Sequence, residues 1–408
     1  MAALEIEARD SSSYARAGRL HTAHGDVRTP AFVPLATKAT VKGLLPSEVE
    51  AFGYDMVLAN TFHLLLNPGP DLIDQFGGLH RFMAWERPII TDSGGFQVFS
   101  MGHGTVADEI KGRSPHGEAA KRAGAILSIE EQGVRFRSYI DGRERLLTPE
   151  GSMSVQAALK SDIALVFDEC TPFHVERDYT ARSTERTHRW LERCLSWHRE
   201  HGPAEQLVYG IVQGGVFEDL RRESASVVAA SACDGIAIGG SLGAEKEQMY
   251  EVVRFAVEEL SGEAHGRPRH LLGIGEVDDL IRGVELGIDT FDCAMPTRLG
   301  RHGSALVPDP QTRWRIDLTK SSCRQADEPL IDGCPCPACS QGFSRAYLSY
   351  LTRAKELTGM RLLTAHNLTF IAALMSELRT AIIAGRLAEV TSALRAGAPL
   401  PLRPPQGV

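Results

Sequence analysis

One alternation restricts this chain more than any other feature. Eight short runs rich in Val, Ile, Leu and Phe are separated by longer stretches of helical periodicity, the pattern of βα units built around a parallel sheet. The runs are Ala31-Phe-Val-Pro-Leu35, Met56-Val-Leu-Ala59, Pro88-Ile-Ile-Thr91, Ile163-Ala-Leu-Val-Phe167, Leu207-Val-Tyr-Gly-Ile-Val212, Gly235-Ile-Ala-Ile238, His270-Leu-Leu-Gly-Ile274 and Ile288-Asp-Thr-Phe291. Eight units predict an α/β fold, a (β/α)8 TIM barrel. Most runs end in a polar or glycine residue: Asn60, Asp92, Asp168, Gln213, Gly239-Gly240, Gly275 and Asp292. Strand C-terminal ends converge on one face of such a barrel, so these residues are expected to meet in space.

Two departures from regular alternation suggest additions to the barrel. A Gly-, Lys- and Arg-rich stretch follows the third run, predicting an insertion at 101–124, and a hairpin is expected from Arg135 to Arg145 with Asp141-Gly142 as its turn. A small inserted metal-binding subdomain is expected at 306–366. The barrel then spans 18–305, a C-terminal helix at 367–395 completes it, and 396–408, with four prolines, is a flexible tail. Hydrophobic residues at 43% and charged residues at 24% exclude global disorder. No apolar run reaches the roughly 20 residues that span a bilayer, and the first ten residues lack a signal-peptide pattern. A soluble, cytoplasmic protein without membrane contact is expected. The net charge is -8, yet Arg298 to Arg361 holds 10 Lys/Arg against 6 Asp/Glu, a basic region compatible with phosphate binding.

Cys334-Pro-Cys336-Pro-Ala-Cys339 places three thiols within six residues, and His366 follows in Thr364-Ala-His-Asn367. Eight cysteines in 408 residues are too sparse for a disulfide framework, so the cluster points to metal. Three thiolates and an imidazole suit tetrahedral zinc and leave no open position, which makes the ion structural, one per subunit. Cys323 competes for the fourth place.

Asp92 in Thr91-Asp-Ser-Gly-Gly-Phe-Gln97 and Asp292 in Phe291-Asp-Cys293 put two carboxylates at one mouth, the equipment for glycosidic chemistry, with helix capping as the alternative for either alone. Asp168, in Phe167-Asp-Glu-Cys-Thr-Pro172, and Gln213, in Val212-Gln-Gly-Gly215, supply acceptors and donors suited to the edge of a nucleobase. Gly239-Gly-Ser-Leu-Gly243 also matches the G-x-S-x-G of serine hydrolases, with Asp292 and His366 in the order a triad requires. That alternative would take His366 from the cysteines. No phosphate-loop, H-E-x-x-H or dinucleotide motif is present.

Together with Asn60-Thr-Phe-His63 and Pro296-Thr-Arg298, these motifs resemble, in order from about Gly18 to Leu378, the tRNA-guanine transglycosylases. The resemblance implies exchange of the wobble guanine of G-U-N anticodons for a 7-deazaguanine in queuosine biosynthesis, through a covalent Asp-ribose intermediate. It implies Asp292 as nucleophile and Asp92 as general acid/base, with Asp168, Gln213 and the Gly240 amide reading the base. Phe96 and Leu272 would sandwich that base, Arg298 and Arg301 would hold the anticodon backbone, and bacterial relatives form homodimers through the zinc region. Where bacterial relatives that take 7-aminomethyl-7-deazaguanine read G-G-L-A-V-G-E, this chain has Gly243 in place of valine, a feature shared with queuine-using enzymes, although Cys170 keeps the bacterial pattern. The remaining alternative is a non-catalytic tRNA-binding paralogue. Retention of both Asp92 and Asp292 favours the enzyme.

Overall fold

The computed structural model describes residues 3–102, 126–171, 175–243, 245–260 and 262–402. Eight parallel strands form one sheet: Ala31–Pro34, Val57–Ala59, Ile89–Thr91, Ile163–Leu165, Leu207–Val212, Gly235–Ile238, Arg269–Leu271 and Thr290–Cys293. Each pairs with its sequence neighbour, and the eighth pairs with the first. A parallel bridge between Leu35 and Leu58 brings the first strand to the second and closes the barrel, with Ala36 N–H donating to the Leu58 carbonyl at 2.7 Å. The strands are short and almost wholly buried, because side chains fill the barrel on one face and helices cover the other.

Two strand ends differ from the expectation in ways that shape the mouth. The seventh strand stops at Leu271, so Leu272 to Ile274 lie in a turn. The eighth runs on to Cys293 because its pairing with the first strand continues from Thr290 opposite Ala31 to Cys293 opposite Pro34. Asp292 is therefore held within a strand and does not hang from a loop.

A three-stranded antiparallel sheet, Leu4–Arg9, Arg16–Thr22 and Gly25–Thr29, lies N-terminal to the barrel. Sequence reading missed it: Leu4, Ile6 and Ala8 alternate with charged residues as a strand should, but Arg16–Thr22 and Gly25–Thr29 are polar and carry little periodicity. The expected hairpin is present, Gly133–Arg137 pairing with Glu144–Leu147, and Ile126–Glu130 adds a third strand. Gly142 takes φ +71 in its turn. The expected insertion at 101–124 lies outside the described residues apart from its first two positions, as do Pro172, Ala244 and the end of the tail from 403.

The long C-terminal helix is Leu357–Ile383, beginning before the expected 367, and a second helix, Leu387–Arg395, follows. His366 and Asn367 thus sit inside a helix and are fully buried. A second apolar cluster, including Ala305, Leu318, Leu330, Ala338, Leu348 and Leu363, packs around the cysteines apart from the main core. Among the described residues no helix is long and apolar enough to cross a membrane.

Candidate active site

The barrel mouth collects its polar groups from strand ends. Asp92 follows the third strand, and four donors reach it. Oδ1 accepts the Thr61 N–H at 2.9 Å and the Gly94 N–H at 3.2 Å; Oδ2 accepts from Asn60 Nδ2 and from Gln97 Nε2, the latter at 3.1 Å. Thr61 opens the helix Thr61–Leu66, whose first N–H groups lack intrahelical partners. Asn60 caps that helix by accepting the His63 N–H, which leaves its amide nitrogen facing Asp92. Burial, helped by the nearby Asp292 charge, nevertheless pushes the Asp92 carboxyl up to about 7 against the pull of the Thr61 and Gly94 amides and Asn60. A carboxyl so placed can give and take a proton near neutrality.

Asp292 is 7% exposed, and its Oδ1 accepts the Gly273 N–H at 3.1 Å from the turn after the seventh strand. Its charge is felt at Asp92, so the two carboxylates share one site. Asp168 is buried beside them. Its Oδ1 accepts from Ser93 Oγ at 2.8 Å and its Oδ2 from Gln213 Nε2 at 2.6 Å, while burial raises its carboxyl to about 6 despite both bonds. Gly240 follows the sixth strand with φ +77, and a Cβ there would lie 2.1 Å from Gln213 Oε1. Only glycine lets that backbone approach Gln213 so closely.

Phe96 is 38% exposed in the first turn of the helix Gly95–Gly102, and Leu272 is half-buried beside Gly239. Both are thus available to an incoming ring. Gly243 has φ +109, and a Cβ there would meet Gln248 at 2.6 Å. A valine in this backbone would be strained whatever the room in the pocket. Arg298 and Arg301 lie on the helix Met295–Arg301 after the eighth strand.

Sequence reading overlooked three cations. Arg221, on the helix Glu218–Ala230, is fully buried, and its guanidinium donates to the carbonyls of Val212, Gly215, Gly239 and Ser241. It thereby ties the loops bearing Gln213 and Gly240. Within Arg221-Arg-Glu-Ser it looked like any surface charge. Lys38 and Lys42 follow the first strand, where the strand-end rule could have found them. Burial and the charges of Arg301 and Lys38 lower the Lys42 pKa, burial and Arg298 lower that of Arg301, and burial with Lys38 and Lys42 takes His63 down to about 4. Like charges crowd here, and Arg301 Nη1 is buried without an acceptor. Such a cluster invites an anion.

The cysteine site is separate from the mouth. The Sγ atoms of Cys334, Cys336 and Cys339 lie 3.8, 3.2 and 3.7 Å from His366 Nδ1. Tetrahedral zinc with bonds of about 2.0 to 2.3 Å has ligand-to-ligand edges of roughly 3.5 to 3.8 Å, so these donors fit. His366 Nε2–H donates to the Leu306 carbonyl at 2.8 Å, the outer bond that turns Nδ1 toward a metal. Cys323 is outside this group; its thiol donates to the Asp317 carbonyl at 3.6 Å. With His366 engaged here, Ser241 has no such imidazole, and its Oγ is buried without a hydrogen-bond partner. No serine triad forms from these residues.

The family model for queuine tRNA-ribosyltransferase matches residues 10–399. A queuine tRNA-ribosyltransferase of Roseiflexus sp. (strain RS-1) is 50% identical over 397 residues, covering 95% of this chain and 98% of the relative. Those of Symbiobacterium thermophilum and Herpetosiphon aurantiacus are each 45% identical, covering 95% and 92% of this chain and 90% and 88% of their own lengths.

Proposed function

Because the chain belongs to the queuine tRNA-ribosyltransferase family, we propose that it exchanges the wobble guanine of tRNAs with G-U-N anticodons for a 7-deazaguanine, with Asp292 as nucleophile and Asp92 as general acid/base. The observation that carries this reading is the pair itself: two carboxylates at the strand ends of one mouth, one raised to about 7 partly by the charge of the other. Asp292 attacks ribose C1′ of a flipped-out guanosine, forming an Asp-ribose ester as the bond to guanine N9 breaks. Asp92 gives a proton to the departing guanine. It then takes one from the incoming base, whose nitrogen attacks C1′ and releases Asp292.

Asp168, Gln213 and the Gly240 amide bind the base edge, and Phe96 and Leu272 cover its faces. Asp168 accepts from the ring N–H and amino group of guanine, which its present partners, Ser93 and Gln213, mimic. Arg298 and Arg301 hold the anticodon phosphates together with Lys38 and Lys42, and an anticodon loop is single-stranded, so extruding one base costs little. Gly243 leaves the wall beside the 7-substituent without a side chain, which supports use of 7-aminomethyl-7-deazaguanine with additional activity toward queuine.

Cys334, Cys336, Cys339 and His366 would hold one zinc ion, which supplies structural closure of the 306–366 subdomain and no catalytic water. Cys336→Ser should lower bound zinc from about one per chain and loosen this subdomain before the barrel, read by metal analysis and hydrogen exchange. Exposed Tyr347, Tyr350 and Leu357 within this subdomain support a homodimer, and the enzyme would act in the cytoplasm. The deciding experiment is incubation with radiolabelled guanine and unmodified G-U-N tRNA, then a chase with each 7-deazaguanine. Label entering tRNA and leaving in the chase supports the reading; no incorporation with folded enzyme rejects it.

A further inference from the structure

We propose that His270 is a positioning residue for the nucleophile, donating its Nε2–H to Oδ1 of Asp292 so that Oδ2 is left to attack. The proposal rests on the reading of Asp292 given above. His270 lies in the seventh strand directly opposite Thr290 in the eighth. Residues two apart on a strand share a face, so Thr290 and Asp292 point to the same side, and the imidazole reaches from one to the other. Its Nδ1 is 2.8 Å from Thr290 Oγ1 and its Nε2 is 3.2 Å from Asp292 Oδ1.

The ring is fully buried, and Nε2 has no well-aligned hydrogen bond; Asp292 Oδ1 is the acceptor within its reach. A buried nitrogen left poorly aligned is costly, and folded proteins keep such groups mainly where they serve a purpose. Catalytic hydrogen bonds are commonly long before substrate arrives and tighten in the complex. A Thr290 hydroxyl donating to Nδ1 leaves the ring proton on Nε2, facing the carboxylate.

Oδ1 then has two donors, His270 and the Gly273 amide, both from the seventh strand and its turn. Among the described residues no hydrogen bond reaches Oδ2. Two donors on one oxygen fix the carboxylate plane and direct the other oxygen to the substrate. Thr290 holds the ring, and the ring holds the carboxylate.

The test follows formation of the denaturation-resistant enzyme-RNA adduct in single turnovers, with KM for tRNA measured alongside. His270→Leu should slow adduct formation about 100-fold with KM unchanged, because a reacting group displaced by an ångström can lose that much. His270→Gln, which keeps an N–H at similar reach, should recover most of the rate. Wild-type speed in His270→Leu overturns the proposal, as does a His270→Gln as slow as His270→Leu, which would make the ring mere packing. Should neither variant fold, Thr290→Val decides: it unfastens the ring and should slow the step about tenfold, whereas an unchanged rate overturns the proposal. A folded wild-type enzyme that forms no adduct overturns the assignment of Asp292 itself, a distinct failure.

Discussion

Asp289 precedes a barrel strand and Asp292 lies toward the far end of the same strand, and the two do opposite work. Asp289 leads into it at the floor, wholly buried, and its oxygens are taken by Arg16 Nε at 2.8 Å, Arg16 Nη2 at 2.5 Å and the Arg269 N–H at 2.7 Å. Asp292 closes it at the mouth with one oxygen held and the other open. The fourth strand repeats the contrast. Asp162, at the floor, accepts from His24, His80 and the amides of His24 and Ile89; burial alone would raise its carboxyl, but these bonds hold it below the ordinary 3.8. Asp168, at the mouth, rises to about 6. The floor saturates its carboxylates and joins the N-terminal sheet to the barrel. At the mouth the donors to Asp92 and Asp168 are neutral amides and a hydroxyl, with no cation to offset burial, and Asp92 also faces the charge of Asp292, which costs stability and raises both carboxyls.

The largest effect should come from Asp292→Asn: exchange and adduct both vanish while the melting temperature holds, since an amide cannot serve as the C1′ nucleophile. Retained exchange would break the division between the two ends. Asp92→Asn should cut turnover by roughly 10² to 10⁴-fold through lost proton transfer, again without unfolding the protein. A fall in melting temperature with near-normal turnover would move Asp92 to the structural class.

Asp289→Asn should do the reverse. It leaves Arg16 buried without its counter-charge, a loss of about 3 to 5 kcal/mol measured by denaturant unfolding, while turnover by the folded fraction is unchanged. The smallest effect is a difference in pH dependence. Asp162 contributes stability above its unfolded value of 3.8, and this is lost as pH falls through its lower folded value. Asp168 behaves oppositely: between 3.8 and about 6 the folded state binds the extra proton, so stability falls as pH rises through that window. At pH 8, Asp162→Asn should therefore melt earlier than wild type and Asp168→Asn later. Equal shifts in both would erase the contrast.

The eight strands, the convergence of Asp92, Asp168, Gln213 and Asp292, and the grouping of three cysteines with His366 are all legible in the order of residues. Each is a short-range signal, an apolar run or a close spacing, and the barrel geometry converts strand ends into neighbours whatever the intervening helices contain. Other features emerge only on folding, because they join partners far apart in the chain. The loss of Cys323 from the metal group, the burial of Arg221 under four loop carbonyls, the crowding of Lys42 with Arg301, and His270 reaching Asp292 across a strand pair carry no local periodicity. The polarity of the barrel belongs to the same class. Aspartates look alike in a sequence, and whether one becomes an anchor or a raised acid depends on the charges and donors that packing brings to its oxygens.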